Sequence, residues 1–236
     1  MNSAISNYRV ELIDLGICDF KKAWDFQITV FDKIVSWKKS AGQNKTQPPA
    51  GALIFVEHPH VYTLGKSGSE SNMLIDAIQL KAKGASFYRI DRGGDITYHG
   101  PGQIVCYPVF DLEVLNIGLK EYIYKLEMVI IDVVEKYGLK ASRLEGAAGV
   151  WLDPCVAMKA RKICAIGVKA SRFVTMHGLA FNVNTNLEYF NFINPCGFTD
   201  KSVTSLEKEL GKKQNIDMVK KNISEKLKEI FNLEVS

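Results

Sequence analysis

RKICAIGVKAS, residues 161–171, runs directly into RFVTMHGLAFNVN, residues 172–184, and the pair reads as strands joined by a turn. Just upstream, GVWL (149–152) is a further strand. QIVCYPVFDL (103–112) is apolar and β-rich enough for a central strand, with Pro108 marking a bulge or an edge toward its end. SFYRI (86–90) leads into a glycine cluster, and ALIFVEHPHVYTLG (52–65) reads as a buried strand, a tight turn at His58-Pro59 and a second strand ending at Gly65. Helical periodicity appears in three places. Ala23, Phe26 or Gln27, Val30, Ile34 and Trp37 recur at three- to four-residue steps from Asp19 to about Trp37. Residues 119–137 sustain the same period up to Gly138, and Ile216, Val219, Ile223, Leu227 and Ile230 form a stripe over about 215–232. Strands in runs, with long helices at the start, middle and end, predict an α+β fold rather than alternating βαβ units. The polar stretch KKSAGQNKTQPPAG (38–51) is read as a surface loop, because one strand and one helix before it are too little for a domain. With no repeat or low-complexity segment, residues 1–236 are expected to form a single domain, a small C-terminal lobe after about residue 200 being the one subdivision left open.

The composition narrows the function classes. A chain of 236 residues, 47% hydrophobic and 24% charged, can bury a sizeable core without disulfides or metals. Its net charge of +4 suits an acidic protein partner but lacks the clustered basic stripe of a nucleic-acid binder. No apolar run approaches the ~18 residues of a membrane span. The segment MNSAISNYRVELIDLG has neither a basic-then-apolar leader nor an Arg-rich one, so a cytoplasmic protein is expected.

Five cysteines, at 18, 106, 155, 164 and 196, form no C-x-x-C pair, which fits neither a disulfide framework nor a structural zinc site and points to a reducing compartment. A nucleophilic thiol needs a nearby positive charge and some exposure. Cys106 reads as a core residue, Cys18 has nothing reactive near it in sequence, and Cys155 sits in an exposed turn. Cys164 lies two residues after Lys162 and would share its face in a regular strand, while Cys196 sits between Pro195 and Gly197 in a loop. Both stay open as candidates, Cys196 slightly ahead. His58 and His60 form H-P-H, too few donors for a metal, and no metal site is expected. Residues 92–103, RGGDITYHGPGQ, contain no phosphate-loop pattern. Their glycines fit a hairpin turn, and their density of Arg, Asp, Thr, Tyr and His fits a pocket wall.

RGGDITYHGPGQIVCYPVFDL, followed by RKICAIGVKASRFVTMHGLAFNVNTNLEYFNFINPCG, closely resembles the octanoyltransferase family, the lipoyl(octanoyl) transferases or lipoate biosynthesis protein B. EHPHVYTLGKSG fits as well, so the resemblance spans roughly residues 8–210. It implies an acyltransferase that takes an octanoyl group from octanoyl-acyl carrier protein onto a cysteine as a thioester, then passes it to a lysine of a lipoyl domain. Acceptors of that class are the lipoyl domains of 2-oxoacid dehydrogenases and the glycine cleavage H protein. By the motifs, the cysteine falls on Cys196 in I-N-P-C-G and the lysine on Lys162 in R-K-I-x-A-I-G-V. The acyl pocket maps to Arg92, Gly93, Gly94, Asp95, Ile96, Thr97, Tyr98 and His99, to Ala165, Ile166 and Gly167, and to Gly178, Leu179 and Ala180, with His177 as a supporting residue. Cys164 stands where many relatives carry alanine. The implied fold is that of biotin and lipoate protein ligases, a mixed sheet with flanking helices. No cofactor is implied, since phosphopantetheine arrives as part of the carrier protein.

In that chemistry an ammonium beside the thiol raises the thiolate fraction, and the same lysine moves protons in both half-reactions. Backbone N–H groups near Gly167, Gly178 or Gly197 are candidate oxyanion donors. An alkyl tunnel gains about 0.8 kcal/mol per buried CH₂, favouring eight carbons over much shorter chains. Two rivals share the fold or the partner. An ATP-dependent lipoate or biotin ligase needs no nucleophilic cysteine and carries a longer glycine run behind a double Arg, which RGGDITYHG lacks. A non-catalytic module binding lipoyl domains or carrier protein has no use for both Cys196 and Lys162.

Overall fold

The computed structural model describes residues 8–40, 48–156, 158–194 and 201–236. Cys196 and Gly197 lie outside the described residues, as does 41–47 of the polar stretch.

The strands are β1 (Tyr8–Ile17), β2 (Gly51–Glu57), β3 (Val61–Leu64), β4 (Ser86–Arg89), β5 (Ile96–His99), β6 (Gln103–Val109), β7 (Ala141–Leu144), β8 (Ala147–Leu152), β9 (Arg161–Ser171), β10 (Val174–Asn182), β11 (Ser202–Val203) and β12 (Leu233–Val235). The helices are α1 (Phe20–Ser40), α2 (Ala77–Ala82), α3 (Leu119–Glu135), α4 (Leu206–Leu210) and α5 (Ile216–Phe231). Among the described residues, nine strands form one sheet in the order β12-β1-β2-β6-β10-β9-β8-β7, with β11 added against β9, and β4-β3-β5 form a second. β1 runs parallel to β2 and β12, and β11 parallel to β9, while the central pairs are antiparallel. The sheet is therefore mixed and the class α+β, as the order of strands and helices predicts.

Each face of the large sheet is covered by a helical stripe. Against one face α3 and α5 bury Val129, Ile130, Val133, Val219, Ile223 and Leu227 with Leu53, Phe55, Ile104 and Cys106. Against the other, α1 buries Ala23, Phe31, Ile34 and Val35 with Ile54, Val105 and Ala180. Asp19 starts α1 by accepting from the N–H groups of Lys21 and Lys22 at 2.9 and 3.2 Å. The buried stripe of α1 includes Gln27, not Phe26, and Phe31 and Val35 in place of Val30 and Trp37. Elements after residue 200 join the same structure, β12 pairing with β1 and α5 packing on α3.

Two strand readings change. β2 and β3 do not form a hairpin across His58-Pro59: β2 joins the large sheet and β3 the small one. Tyr62 and Leu64 of β3 instead bury themselves with Ile96, Tyr98 and Ile193. Pro108 does not make β6 an edge, since β6 lies between β2 and β10 and is buried along its whole length. The ladder to β10 ends at Leu179↔Cys106, short of the proline. Beyond it Thr175 takes over, its hydroxyl donating to the Pro108 carbonyl at 2.9 Å and accepting from the Phe110 N–H at 3.0 Å. Among the described residues no helix is long and apolar enough to cross a membrane.

The packing of α5 on α3 carries a stability prediction. Ile223 is fully buried between the helices and the sheet, so Ile223→Ala is expected to cost about 3 kcal/mol. Equilibrium urea unfolding should show a lower midpoint with an unchanged slope.

Candidate functional site

The two sheets enclose a cavity of about 810 Å³. Its floor follows the two-residue period of the strands: Gln103, Val105 and Tyr107 from β6, Gly178, Ala180 and Asn182 from β10, Ala165 and Gly167 from β9. Thr97 and His99 of β5 form a wall, and Phe190 and Ile193 cover the apolar part. Lys162, Trp151, Ser202 and Val203 line one end, and Phe20 and His177 line it several residues further along the strands. Asn194 and Lys201, the described residues on either side of 195–200, both line the cavity.

Most of the residues singled out in the sequence meet at this one place. Arg92, Gly94, Asp95, Ile96, Thr97, His99, Ala165, Ile166, Gly167, Gly178, Leu179 and Ala180 line the cavity with Lys162 and His177. Tyr98 and Gly93 do not. Tyr98 lies on the opposite face of β5, fully buried, with its hydroxyl 2.7 Å from Nδ1 of His60 and its ring stacked on Tyr189. Gly93 is turned to the sheet edge, its N–H donating to the Val168 carbonyl at 2.9 Å. Gly167 lets the 92–93 segment lie against β9: a Cβ there would stand 3.0 Å from both the Arg92 Cδ and the Gly93 carbonyl oxygen.

The geometry of β9 separates the two residues that a regular strand would place together. Val150 of β8 pairs with Cys164, but Trp151 pairs with Lys162, so Ile163 has no partner opposite it. This extra residue reverses the alternation. Ile163 and Cys164 both enter the core under α3, and Lys162 lines the cavity instead. The register is accommodated at Gly149, whose φ of +119° suits glycine and where a Cβ would overlap the Cys164 carbonyl. Burial pushes the Cys164 thiol far above its ordinary range, so it is neither exposed nor acidic enough to act as a nucleophile. Cys106 is buried and shifted the same way, and Cys155 is exposed.

The polar wall is a directional hydrogen-bond chain. Nη2 of Arg92 donates to the Thr63 carbonyl and hydroxyl oxygens at 2.8 and 2.9 Å. The Thr63 hydroxyl stands 3.4 Å from Nε2 of His99, and Nδ1 of His99 stands 2.8 Å from Oε1 of Gln103. Gln103 spends its amide hydrogens on the Tyr98 carbonyl at 3.2 Å and Oδ1 of Asn182 at 2.9 Å. Because Oε1 can only accept, His99 carries its proton on Nδ1. His58 is fixed the same way: Nδ1 donates to the Cys18 carbonyl and Nε2 accepts from the Tyr107 hydroxyl, both at 2.8 Å. Burial lowers His58 to about 4 and His99 to about 3, so both imidazoles are neutral at pH 7. Burial also lowers His177, against the opposing pull of Asp91, 3.2 Å from its Nε2. The backbone of His177 has a φ of +62°, and its N–H is taken by the buried Gln27 of α1 at 3.1 Å.

Gln103, Tyr107, Trp151 and Asn182 line the cavity without having been singled out in the sequence. The usable signal was the two-residue period, which puts Gln103, Val105 and Tyr107 on one face of β6 and carries Gly178 and Ala180 on to Asn182.

The chain matches the family model of the lipoyl protein ligase A/B catalytic domain over residues 22–228. It is 55% identical to an octanoyltransferase of Parabacteroides distasonis, over 92% of this chain and 96% of that one. It is 52% identical to an octanoyltransferase of Bacteroides fragilis, over 91% and 94%. Among solved structures it is similar to a bipartite lipoate protein ligase from Thermoplasma acidophilum, with a TM-score of 0.69 at 14% identity over 97% of this chain and 86% of that one. A biotin protein ligase from Aquifex aeolicus follows at a TM-score of 0.52 and 10% identity, over 95% and 70%. At these identities the structural likeness establishes the fold.

The buried histidines generate a pH prediction. Each is neutral in the native state and titrates near 6.5 once unfolded, so between those values the unfolded chain binds more protons. Stability is therefore full above about pH 6.5 and falls as the pH drops toward about 4 for His58 and about 3 for His99. Unfolding free energies from urea titrations at pH 7 to pH 4.5 should decline, by up to ~1.4 kcal/mol per pH unit for each histidine, and His99→Asn should flatten the decline. An identical slope in that variant would remove His99 from this account.

Proposed function

The chain belongs to the lipoyl protein ligase A/B catalytic-domain family and, within it, to the octanoyltransferases, and from that membership we propose that Cys196 and Lys162 carry out the acyl transfer. The enzyme is an acyltransferase that moves octanoyl groups for protein lipoylation. In the proposed reaction octanoyl-acyl carrier protein is the donor and a lysine of a lipoyl domain is the acceptor. The acceptor domains belong to 2-oxoacid dehydrogenases and the glycine cleavage H protein. The reaction runs in the cytoplasm, where reducing conditions keep a lone thiol free. The whole chain acts as one catalytic domain, with no metal, nucleic acid or membrane involved. The donor thioester supplies the activated carbonyl, so the proposed reaction draws on no cofactor.

The observation that carries this reading is the position of Lys162. It is turned into a cavity whose lining also includes Asn194 and Lys201, the described residues on either side of the stretch with Cys196. With Lys162 as an ammonium, Cys196 is favoured as a thiolate, the form that attacks the donor carbonyl. Collapse of the tetrahedral adduct expels the phosphopantetheine thiolate, which takes a proton from Lys162. The neutral Lys162 then takes a proton from the incoming lysine ammonium. The freed amine attacks the Cys196 thioester, its second proton leaves to solvent, and Cys196 departs as the thiolate. One proton is released overall, and every bond formed is matched by one broken.

The alkyl chain lies in the apolar part of the cavity, between Val105, Leu179 and Ala180 on the floor and Phe190 and Ile193 above. Arg92, Gly94, Asp95, Ile96, Thr97 and His99 form the wall beside it, with Ala165, Ile166, Gly167 and Gly178. Tyr98 supports that wall from outside, and His177 lines the cavity further along the strands. His99 and His58 are neutral, so neither competes with Lys162 as a cation near the thiol.

The direct test is intact-mass spectrometry after incubation with octanoyl-acyl carrier protein. The wild type and Cys164→Ala are expected to gain an octanoyl increment, and Cys196→Ala to gain none while keeping its fold. An adduct that persists in Cys196→Ala, or vanishes only in Cys164→Ala, would overturn the assignment. Lys162→Ala should slow both half-reactions and raise the pH at which iodoacetamide alkylates Cys196. An unchanged alkylation profile would end the activating role of the lysine.

A further inference from the structure

We infer that Trp151 is a positioning residue for acyl transfer: its indole face holds the Lys162 ammonium against the cavity wall, and the buried Glu127, paired with Arg143, holds the β8 backbone that presents it. The inference rests on the acid/base role proposed for Lys162.

The first observation is the contact itself. Nζ of Lys162 stands 4.6 Å from the centroid of the Trp151 ring, within cation–π range. Trp151 and Lys162 are direct cross-strand partners, and they are so only because Ile163 is left out of the register. The same bulge that turns the lysine into the cavity thus places the indole beside it. Trp151 cannot swing away, being 2% exposed with Nε1 donating to the Ala147 carbonyl at 3.1 Å. On its other side Lys162 pairs with Val203 of β11.

The second observation lies behind the cavity wall. Glu127 of α3 is buried at 7% exposure, and an unpaired carboxylate there would be costly. One oxygen accepts from the Gly149 N–H at 3.1 Å and the other from Nε of Arg143 at 2.8 Å. Arg143 is held in turn by the Tyr124 carbonyl at 2.9 Å and lies 3.6 Å over the Tyr124 ring. Glu127 therefore fixes Gly149, two residues before Trp151. A Cβ on Gly149 would stand 3.5 Å from Lys162 Cδ, an ordinary contact, so it is the Cys164 carbonyl and not the lysine stem that requires glycine there.

An indole face attracts an ammonium and has little attraction for an amine. The contact therefore favours the charged resting form of Lys162 and weakens when Lys162 gives its proton to the leaving thiolate, freeing the amine for the incoming lysine. The other charged residues that line this cavity are Arg92, Asp95, Glu188, Lys201 and Lys208, and Glu127 lies behind the Gly149 turn. The thiol of Cys164 is buried on the opposite face of β9.

The test uses the full chain and the octanoyl thioester of N-acetylcysteamine, following self-acylation by intact mass from pH 6 to pH 10. Trp151→Leu is expected to slow acylation about tenfold and to move the basic limb of the profile to lower pH, because the ammonium loses a favourable partner. Trp151→Phe, which keeps a weaker aromatic face, should fall between it and the wild type, and it decides the question if the leucine variant does not fold. Glu127→Gln keeps an acceptor for Gly149 and should be milder than Glu127→Leu. A basic limb that stays in place in both Trp151 variants would overturn the inference, whatever the rate. Lys162→Met run in parallel separates the two readings. Full acylation with a wild-type limb there would overturn the lysine's role and this inference together, whereas loss of acylation in Lys162→Met with unmoved Trp151 variants would overturn this inference alone.

Discussion

One unpaired residue in one strand sets the geometry of the site. Side chains of a β-strand alternate between faces, and by that rule Lys162 belongs with Cys164 and Ile166 in the core below α3. Leaving Ile163 without a partner reverses the rule for everything before it, so the lysine enters the cavity and the thiol stays in the core. The cost of the bulge is met locally. Gly149 accepts a backbone conformation that a side chain would strain, and the buried Glu127 accepts the N–H that the bulge turns toward it.

The second constraint is that the cavity wall is polar yet buried. A buried imidazolium would have to be solvated by the protein, and burial instead keeps His58 and His99 neutral. Neutral groups then need every hydrogen placed. Arg92, Thr63, His99, Gln103 and Asn182 satisfy one another in sequence, and among the described residues no buried side-chain nitrogen or oxygen is left without a partner. Such a chain has one consistent arrangement of donors and acceptors, which makes the wall rigid and leaves positive charge at Arg92 and Lys162.

What could be read from the sequence depended on whether a feature was periodic or conditional. The stripes of α3 and α5 repeat often enough to be legible, and so did the α+β order of elements. The resemblance carried by RGGDITYHG and RKICAIGV located most of the cavity wall. Tyr98 was misplaced because a motif gives a contiguous stretch, while a strand gives only alternate residues to a cavity. The separation of Cys164 from Lys162 was illegible for a deeper reason: nothing in RKICAIGV marks Ile163 as unpaired, since the bulge is decided jointly with Gly149 on β8 and Glu127 on α3. β2 and β3 parted company for a similar reason, each finding its hydrophobic partners in a different sheet.

The fold tolerates wide sequence change, as a TM-score of 0.69 at 14% identity to a lipoate protein ligase shows. A shared scaffold cannot by itself choose between an acyl-adenylate and an acyl-thioester as the activated carbonyl. The choice lies in a few side chains. A thioester route asks for a thiolate, an ammonium that can be lost and regained, and a dry apolar channel. In the proposed reaction the ammonium is the hardest of these to provide, because a channel apolar enough to seat an octanoyl chain penalises charge. Placing Lys162 at the end of the cavity, over an indole ring, answers that conflict. A carboxylate would hold the proton tightly and compete with the thiolate for the cation. An aromatic face steadies the charge while leaving the proton transferable.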